Sequence, residues 1–337
     1  MTYKTKVWVL SIVVAVLAVV YAGTLILTPE RLNSRNAAYT WLEPKWTDQA
    51  GRIETSDGAG TLTLARRDAV WFVEAGDTEY PAKQGRVADL LRLLSARAAY
   101  PLRGSAASSH ERLGVGENAS RIVVRGGAGA IPLLDLLVGG GDATGREVYL
   151  RKSGQNEVRS GEDKFTAYLS SSPAAWYNLR LFPAEGTGAL ALDTVQRVTV
   201  VSPPLSGELG EALPPPAPLV ISRSGSGWTV DGVAPDSLDG SRVDPYIRGI
   251  LDAEGDDFVT ALKSDDPVFN EGRIHLELGD GATRTVRLGP VLPPAGEGEA
   301  GKRTAVVSGS RYVYTLAEWT VNRLFRDAAY FEKPEEP

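Results

Sequence analysis

The sequence contains no cysteine and only two histidines, His110 and His275. Without a thiol there is no disulfide framework, no thiolate metal or iron–sulfur site, no cysteine lipid anchor and no cysteine nucleophile. A run of lysine and arginine is also lacking. The 36 basic residues stand against 42 acidic ones, a formal charge of −6, so no cationic stripe tracks phosphates and nucleic acid is not an expected partner. What remains is 337 residues, 43% hydrophobic and 23% charged, an ordinary globular composition with length for two domains.

One long uncharged run stands at the start. Residues 7–27, VWVLSIVVAVLAVVYAGTLIL, would span about 31 Å as a helix at 1.5 Å per residue, enough to cross a bilayer core of roughly 30 Å. Lys4 and Lys6 precede the run, whereas Glu30 offsets Arg31 after it. That asymmetry predicts a cytoplasmic tip at 1–6, a single-pass transmembrane helix at 7–27, a stalk at 28–50 and the bulk of the chain outside. A cleaved signal peptide ending near Ala22 is the competing reading, and it exports the same domains. Trp41 and Trp46 in the stalk suit either the membrane interface or packing beneath the first domain.

Self-comparison reveals an internal offset. Leu62-Thr-Leu-Ala-Arg66, leading to Trp71-Phe-Val73, recurs as Leu219-Val-Ile-Ser-Arg223, leading to Trp228-Thr-Val230. Both read as two short strands joined by a polar turn. Val87, Leu90, Leu91 and Leu94 share the i, i+3, i+4, i+7 spacing of Val243, Tyr246, Ile247 and Ile250, one apolar stripe on a helix in each half. Alternating strands around Ile122 and Ile274 follow, then strands ending at Gly139 and Gly289, then hairpins turning at Ser153-Gly154 and Ser308-Gly309. Each half is expected to close with a helix-like segment, ending in 178–182 and in 321–325. The predicted class is α+β: an N-terminal transmembrane helix followed by two tandem repeats, 51–185 and 195–330, of a mainly antiparallel sheet packed with helices. A proline-rich connection around Pro203-Pro204 and Pro214-Pro215-Pro216 joins them, and 331–337 is a polar tail.

Several of these residues carry a resemblance. Trp71-Phe-Val73 with Tyr80-Pro81-Ala82, the helix 87–94, the Leu113-Gly114 step, Leu137-Val-Gly139 and Val148-Tyr-Leu-Arg151 resemble the domain-of-unknown-function 4340 family over residues 61–182. The second half is similar but departs from the pattern, with no Tyr-Pro-Ala after Trp228 and no Leu-Gly step before Ile274. The resemblance implies a bacterial inner-membrane protein and, as partners, subunits of an ABC-type transport system of the gliding-motility kind.

His275 alternates with Ile274 and Leu276 and is expected on the polar face of a strand. His110 follows Ser105-Ala-Ala-Ser-Ser109, a Ser/His pair without a Gly-x-Ser-x-Gly elbow. Asp256-Asp257 and Asp265-Asp266 are carboxylate pairs of the kind glycosidases or calcium sites use, yet they lack a calcium-loop register. Gly114-Val-Gly116 and Gly126-Gly127-Ala-Gly129 complete no phosphate-loop pattern, and Asn118-Ala-Ser120 fits a glycosylation acceptor that matters only in a eukaryotic secretory route. No catalytic, cofactor or metal residue is therefore assigned. The expected function is a membrane-anchored extracytoplasmic accessory or interaction protein. One alternative is a binding module for a polysaccharide or lipid fragment stacking on Trp71, Tyr80, Trp176 or Tyr177. Another is a carboxylate-dependent hydrolase.

Overall fold

Period-two burial sets most of this chain. Ile274, Leu276 and Leu278 are buried whereas Arg273, His275 and Glu277 are not, the pattern a pleated strand with one covered face imposes. The computed structural model describes residues 3–26, 38–127, 131–142, 144–183, 189–204, 216–294, 296, 298 and 300–334. They fall into two units, Met1–Asn178 and Leu179–Pro337.

The first unit contains α1 (Tyr3–Ile26), β1 (Ala38–Tyr39), β2 (Ala50–Ser56), β3 (Thr61–Arg67), β4 (Val70–Ala75) and β5 (Thr78–Pro81). After them come α2 (Gln84–Ser95), β6 (Ala98–Ala99), β7 (Leu102–Gly104), β8 (Ser120–Gly126), β9 (Pro132–Gly141), β10 (Glu147–Lys152) and β11 (Val158–Glu162). Nine strands form one sheet in the order β5-β4-β3-β2-β8-β9-β10-β11-β7, while β1 pairs with β6. The second unit contains β12 (Val195–Val201), β13 (Leu219–Ser224), β14 (Gly227–Val230), α3 (Val243–Leu251), β15 (Asp257–Val259) and β16 (Gly272–Leu278). It ends with β17 (Thr283–Leu292), β18 (Lys302–Val307), β19 (Val313–Leu316) and α4 (Glu318–Leu324). Its sheet runs β14-β13-β12-β16-β17-β18-β19-β15. With β5 set aside, the two orders coincide strand for strand, and the described pairings are antiparallel.

Each sheet buries one face under a helix. Val87, Leu90 and Leu94 of α2 are buried, as are Val243, Tyr246, Ile247, Ile250 and Leu251 of α3, so the apolar stripe of each helix supplies the core. The far face is partly roofed by loops, which pack Val115 against Leu137 and Val158 in the first unit and Phe269 against Val306 and Val313 in the second. Two glycines make room for these roofs. A Cβ on Gly139 would sit 2.4 Å from the Leu113 carbonyl oxygen, and one on Gly289 would sit 2.7 Å from the Phe269 ring.

Three expectations are corrected. First, α1 is helical, but among the described residues no helix is long and apolar enough to cross a membrane. Second, the α+β class gives way to a chain that is mostly β-sheet. Seventeen strands build the two large sheets, whereas α2, α3 and α4 have only 12, 9 and 7 residues. Third, the segment 178–182 forms no helix; Asn178 N–H donates instead to the Pro81 carbonyl at 2.7 Å. Trp41 is buried and stacks edge-on against Tyr100 at 5.2 Å, so it packs within the first unit. Of the expected anchor, stalk, connection and tail, residues 1–2, 27–37, 205–215 and 335–337 lie outside the described residues.

Candidate functional site

A groove opens in each unit where the helix crosses the strand pair that carries the tryptophan. In the first unit it occupies about 460 Å³ and is lined by Asp48, Arg66, Trp71, Gln84 and Arg92, among others. In the second it occupies about 330 Å³ and is lined by Asp193, Arg223, Trp228, Asp244 and Arg248. These sets correspond by position. Arg66 faces Trp71 across the β3–β4 ladder as Arg223 faces Trp228 across β13–β14. Arg92 and Arg248 each lie five residues after the first buried valine of their helix, and Asp48 and Asp193 each lie two residues before β2 or β12.

The arginines are held by main-chain oxygens. Arg66 Nη1 donates to the Asp48 carbonyl at 3.0 Å. Arg223 donates through Nε to the Val195 carbonyl at 3.0 Å and through Nη2 to the Leu192 carbonyl at 2.7 Å. A planar guanidinium with several donors suits this task, fixing the segment that enters the central strand. Arg223 also lies over the Trp228 ring, 4.3 Å from its centroid, within cation–π range. On the helices, Arg92 pairs with Asp89, while Arg248 has no ion-pair partner among the described residues. The second groove thus offers guanidinium charge beside a half-buried indole, whereas the first offers guanidinium charge over a buried one.

The two tryptophans differ in their surroundings. Trp71 is 6% exposed, and the Gln84 amide clasps its main chain. Trp228 is half-buried, and its indole Nε1 donates to Asp244 Oδ1 at 2.7 Å. The turns at the groove mouths differ as well. Asp68 (φ 47) and Ala69 (φ 70) both adopt the left-handed region, which in the second unit falls to Gly225 (φ 60). Beside the second groove, the Tyr246 hydroxyl on α3 donates to the Leu324 carbonyl on α4 at 2.7 Å, and burial pushes its pKa well above the ordinary phenol value.

The residues singled out from sequence lie elsewhere and do not converge. His110 Nε2 meets the Asn156 carbonyl at 3.2 Å, and Ser109 Oγ donates to the Ala106 carbonyl instead of to the histidine. His275 Nδ1 lies 2.8 Å from Thr285 Oγ1 across the β16–β17 ladder. Asp257 accepts from Phe258 N–H at 2.8 Å and Asp266 from Lys263 N–H at 2.8 Å, both capping local backbone, while Asp256 accepts from the distant Ala317 N–H at 2.5 Å. Among the described residues no three His, Asp or Glu side chains gather as a metal site. Trp71, Tyr80, Trp176 and Tyr177 are 6%, 4%, 0% and 6% exposed, which removes all four as stacking platforms for a ligand. The groove arginines were missed, although Arg66 and Arg223 each stand five residues before the tryptophan used to find the offset.

Fold and grooves together define a two-unit, antiparallel β-sheet protein with an arginine–tryptophan groove in each unit. The chain belongs to the family described as domain of unknown function (DUF4340): residues 71–270, more than half of its length, match that family. No curated protein and no solved structure matches it.

Proposed function

We propose that this chain is a non-catalytic interaction protein in which duplicated units each offer their groove to a protein partner. One observation supports the reading: the Asp, Arg, Trp and Arg of the first groove recur at corresponding positions in the second. Tryptophan and arginine are the side chains that most often dominate protein–protein binding energy. Two such sites on one chain raise the effective strength of attachment when both reach the same assembly. The exposed Trp319, with Arg323 5.2 Å from its ring on α4, adds a further pair of the same chemistry. The partner class implied by the resemblance is the subunits of an ABC-type transport system. Co-purification of the full chain in mild detergent tests this. The reading expects ATP-binding and multipass subunits to be retained, and repeated recovery of the chain alone contradicts it.

A further inference from the structure

The two sheets differ at one edge. In the first unit β4 is flanked by β5, with Phe72 opposite Pro81 and Val73 opposite Tyr80, whereas in the second unit β14 is the outermost strand. The outward main-chain groups of Trp71 are fully used. Its N–H donates to Gln84 Oε1 at 2.9 Å, and its carbonyl accepts from Gln84 Nε2 at 2.9 Å and from Ala82 N–H at 3.0 Å.

At β14 the same groups point outward but meet nothing. Asp231 N–H donates to the Val220 carbonyl at 2.9 Å, which sets the alternation of the antiparallel ladder. Thr229 and Gly227 then bond inward to β13, while Trp228 and Val230 turn their N–H and C=O away from it. The Val230 carbonyl is taken by Val233 N–H at 3.1 Å. Among the described residues, the Trp228 N–H, the Trp228 carbonyl and the Val230 N–H have no hydrogen-bond partner. The position that corresponds to Gln84 in the second unit is Gly240, three residues before Val243 as Gln84 is three before Val87. Glycine has no amide to reach back with.

From this we infer that the edge of β14 is a docking site for an extended polypeptide segment of a partner, seated where β5 lies in the first unit. Such strand addition draws its affinity from main-chain hydrogen bonds, and the chain's own β5 on β4 shows the register. The second groove lies alongside, so Trp228, Arg223 and Arg248 flank the incoming strand. An unprotected edge of this kind is otherwise a site for unwanted pairing. The inference rests on the interaction reading above and specifies where, and in what form, the partner binds.

The test uses the full chain and a synthetic peptide of its own residues 77–83 (DTEYPAK), followed by hydrogen exchange over residues 227–231. The peptide is expected to slow exchange there by about threefold or more, because newly bonded amides are protected. Gly240→Gln restores the internal clasp; a Cβ at Gly240 meets nothing within 4 Å, so the side chain is accommodated. That variant is expected to slow exchange at Trp228 without peptide and still to gain protection with it, because β4 carries Gln84 and β5 together in the first unit, while Gly240→Ala behaves as the parent. No protection in the parent, or equal protection by a peptide of the same composition in scrambled order, overturns the inference. If those exchange results fail while co-purification remains sensitive to Arg92→Glu and Arg248→Glu, the open edge falls and the interaction reading stands.

Discussion

The side-chain amide of Gln84 bonds both main-chain groups of Trp71, accepting from its N–H and donating to its carbonyl, each at 2.9 Å. One residue at the start of α2 thereby locks the helix to the strand that carries the groove's indole. Gln84→Ala strands the partly buried Trp71 N–H, while the carbonyl keeps Ala82 N–H, and is expected to lower stability by about 1–3 kcal/mol, read from denaturant unfolding at unchanged slope. Loss below about 0.5 kcal/mol, the range of an ordinary surface change, contradicts that role.

Ala69 sits at φ 70 next to Asp68 at φ 47. A left-handed alanine costs roughly 1–2 kcal/mol, so Ala69→Gly is expected to stabilise the chain by about 1 kcal/mol once glycine's larger unfolded-state entropy is subtracted. Thermal unfolding of the two forms checks it, and a lower midpoint for Ala69→Gly refutes the strain.

Gly139 and Gly289 admit the loops that roof the two sheets. Alanine at either is expected to cost about 1–3 kcal/mol, the usual range for overpacking, because the Leu113 carbonyl and the Phe269 ring must move. Gly140→Ala, whose Cβ meets nothing within 4 Å, is the control and is expected to change stability little. Equal effects at positions 139 and 140 count against the roof.

Asp57 ties the β2–β3 turn to Ser171, accepting from its backbone N–H and its hydroxyl, both at 2.9 Å. Those bonds pull its pKa from 3.8 down to about 2. A carboxylate with a depressed folded-state pKa stabilises the fold fully above its unfolded value, and that contribution fades as pH falls toward the folded one. The stability difference between parent and Asp57→Asn is therefore expected to be constant from neutral pH to just above 4 and to shrink between 3.8 and 2. A difference that stays flat down to pH 2 contradicts the clasp.

Much of the strand arrangement was legible because Trp71 and Trp228, Val87 and Val243, and Gly139 and Gly289 repeat local patterns that depend only on near neighbours. The closing segment 178–182 was misread as helix because its apolar spacing suits one, whereas the backbone of Asn178 bonds to β5, a long-range choice that local pattern cannot show. The apolar run at 7–27 suggests a membrane crossing by hydropathy, yet among the described residues no helix is long and apolar enough to make one. The grooves escaped notice for a different reason. Asp48, Arg66 and Arg92 are far apart in sequence, and only the sheet and the helix above it bring them together.

The most direct test of the account compares partner recovery by the parent chain with recovery by Arg92→Glu combined with Arg248→Glu, both exposed helix positions. Hot-spot charge reversal typically costs 2 kcal/mol or more, roughly thirtyfold in affinity. The account predicts that transport subunits retained by the parent are lost from the double variant, whose unfolding midpoint is unchanged. Equal recovery by the two forms would contradict it.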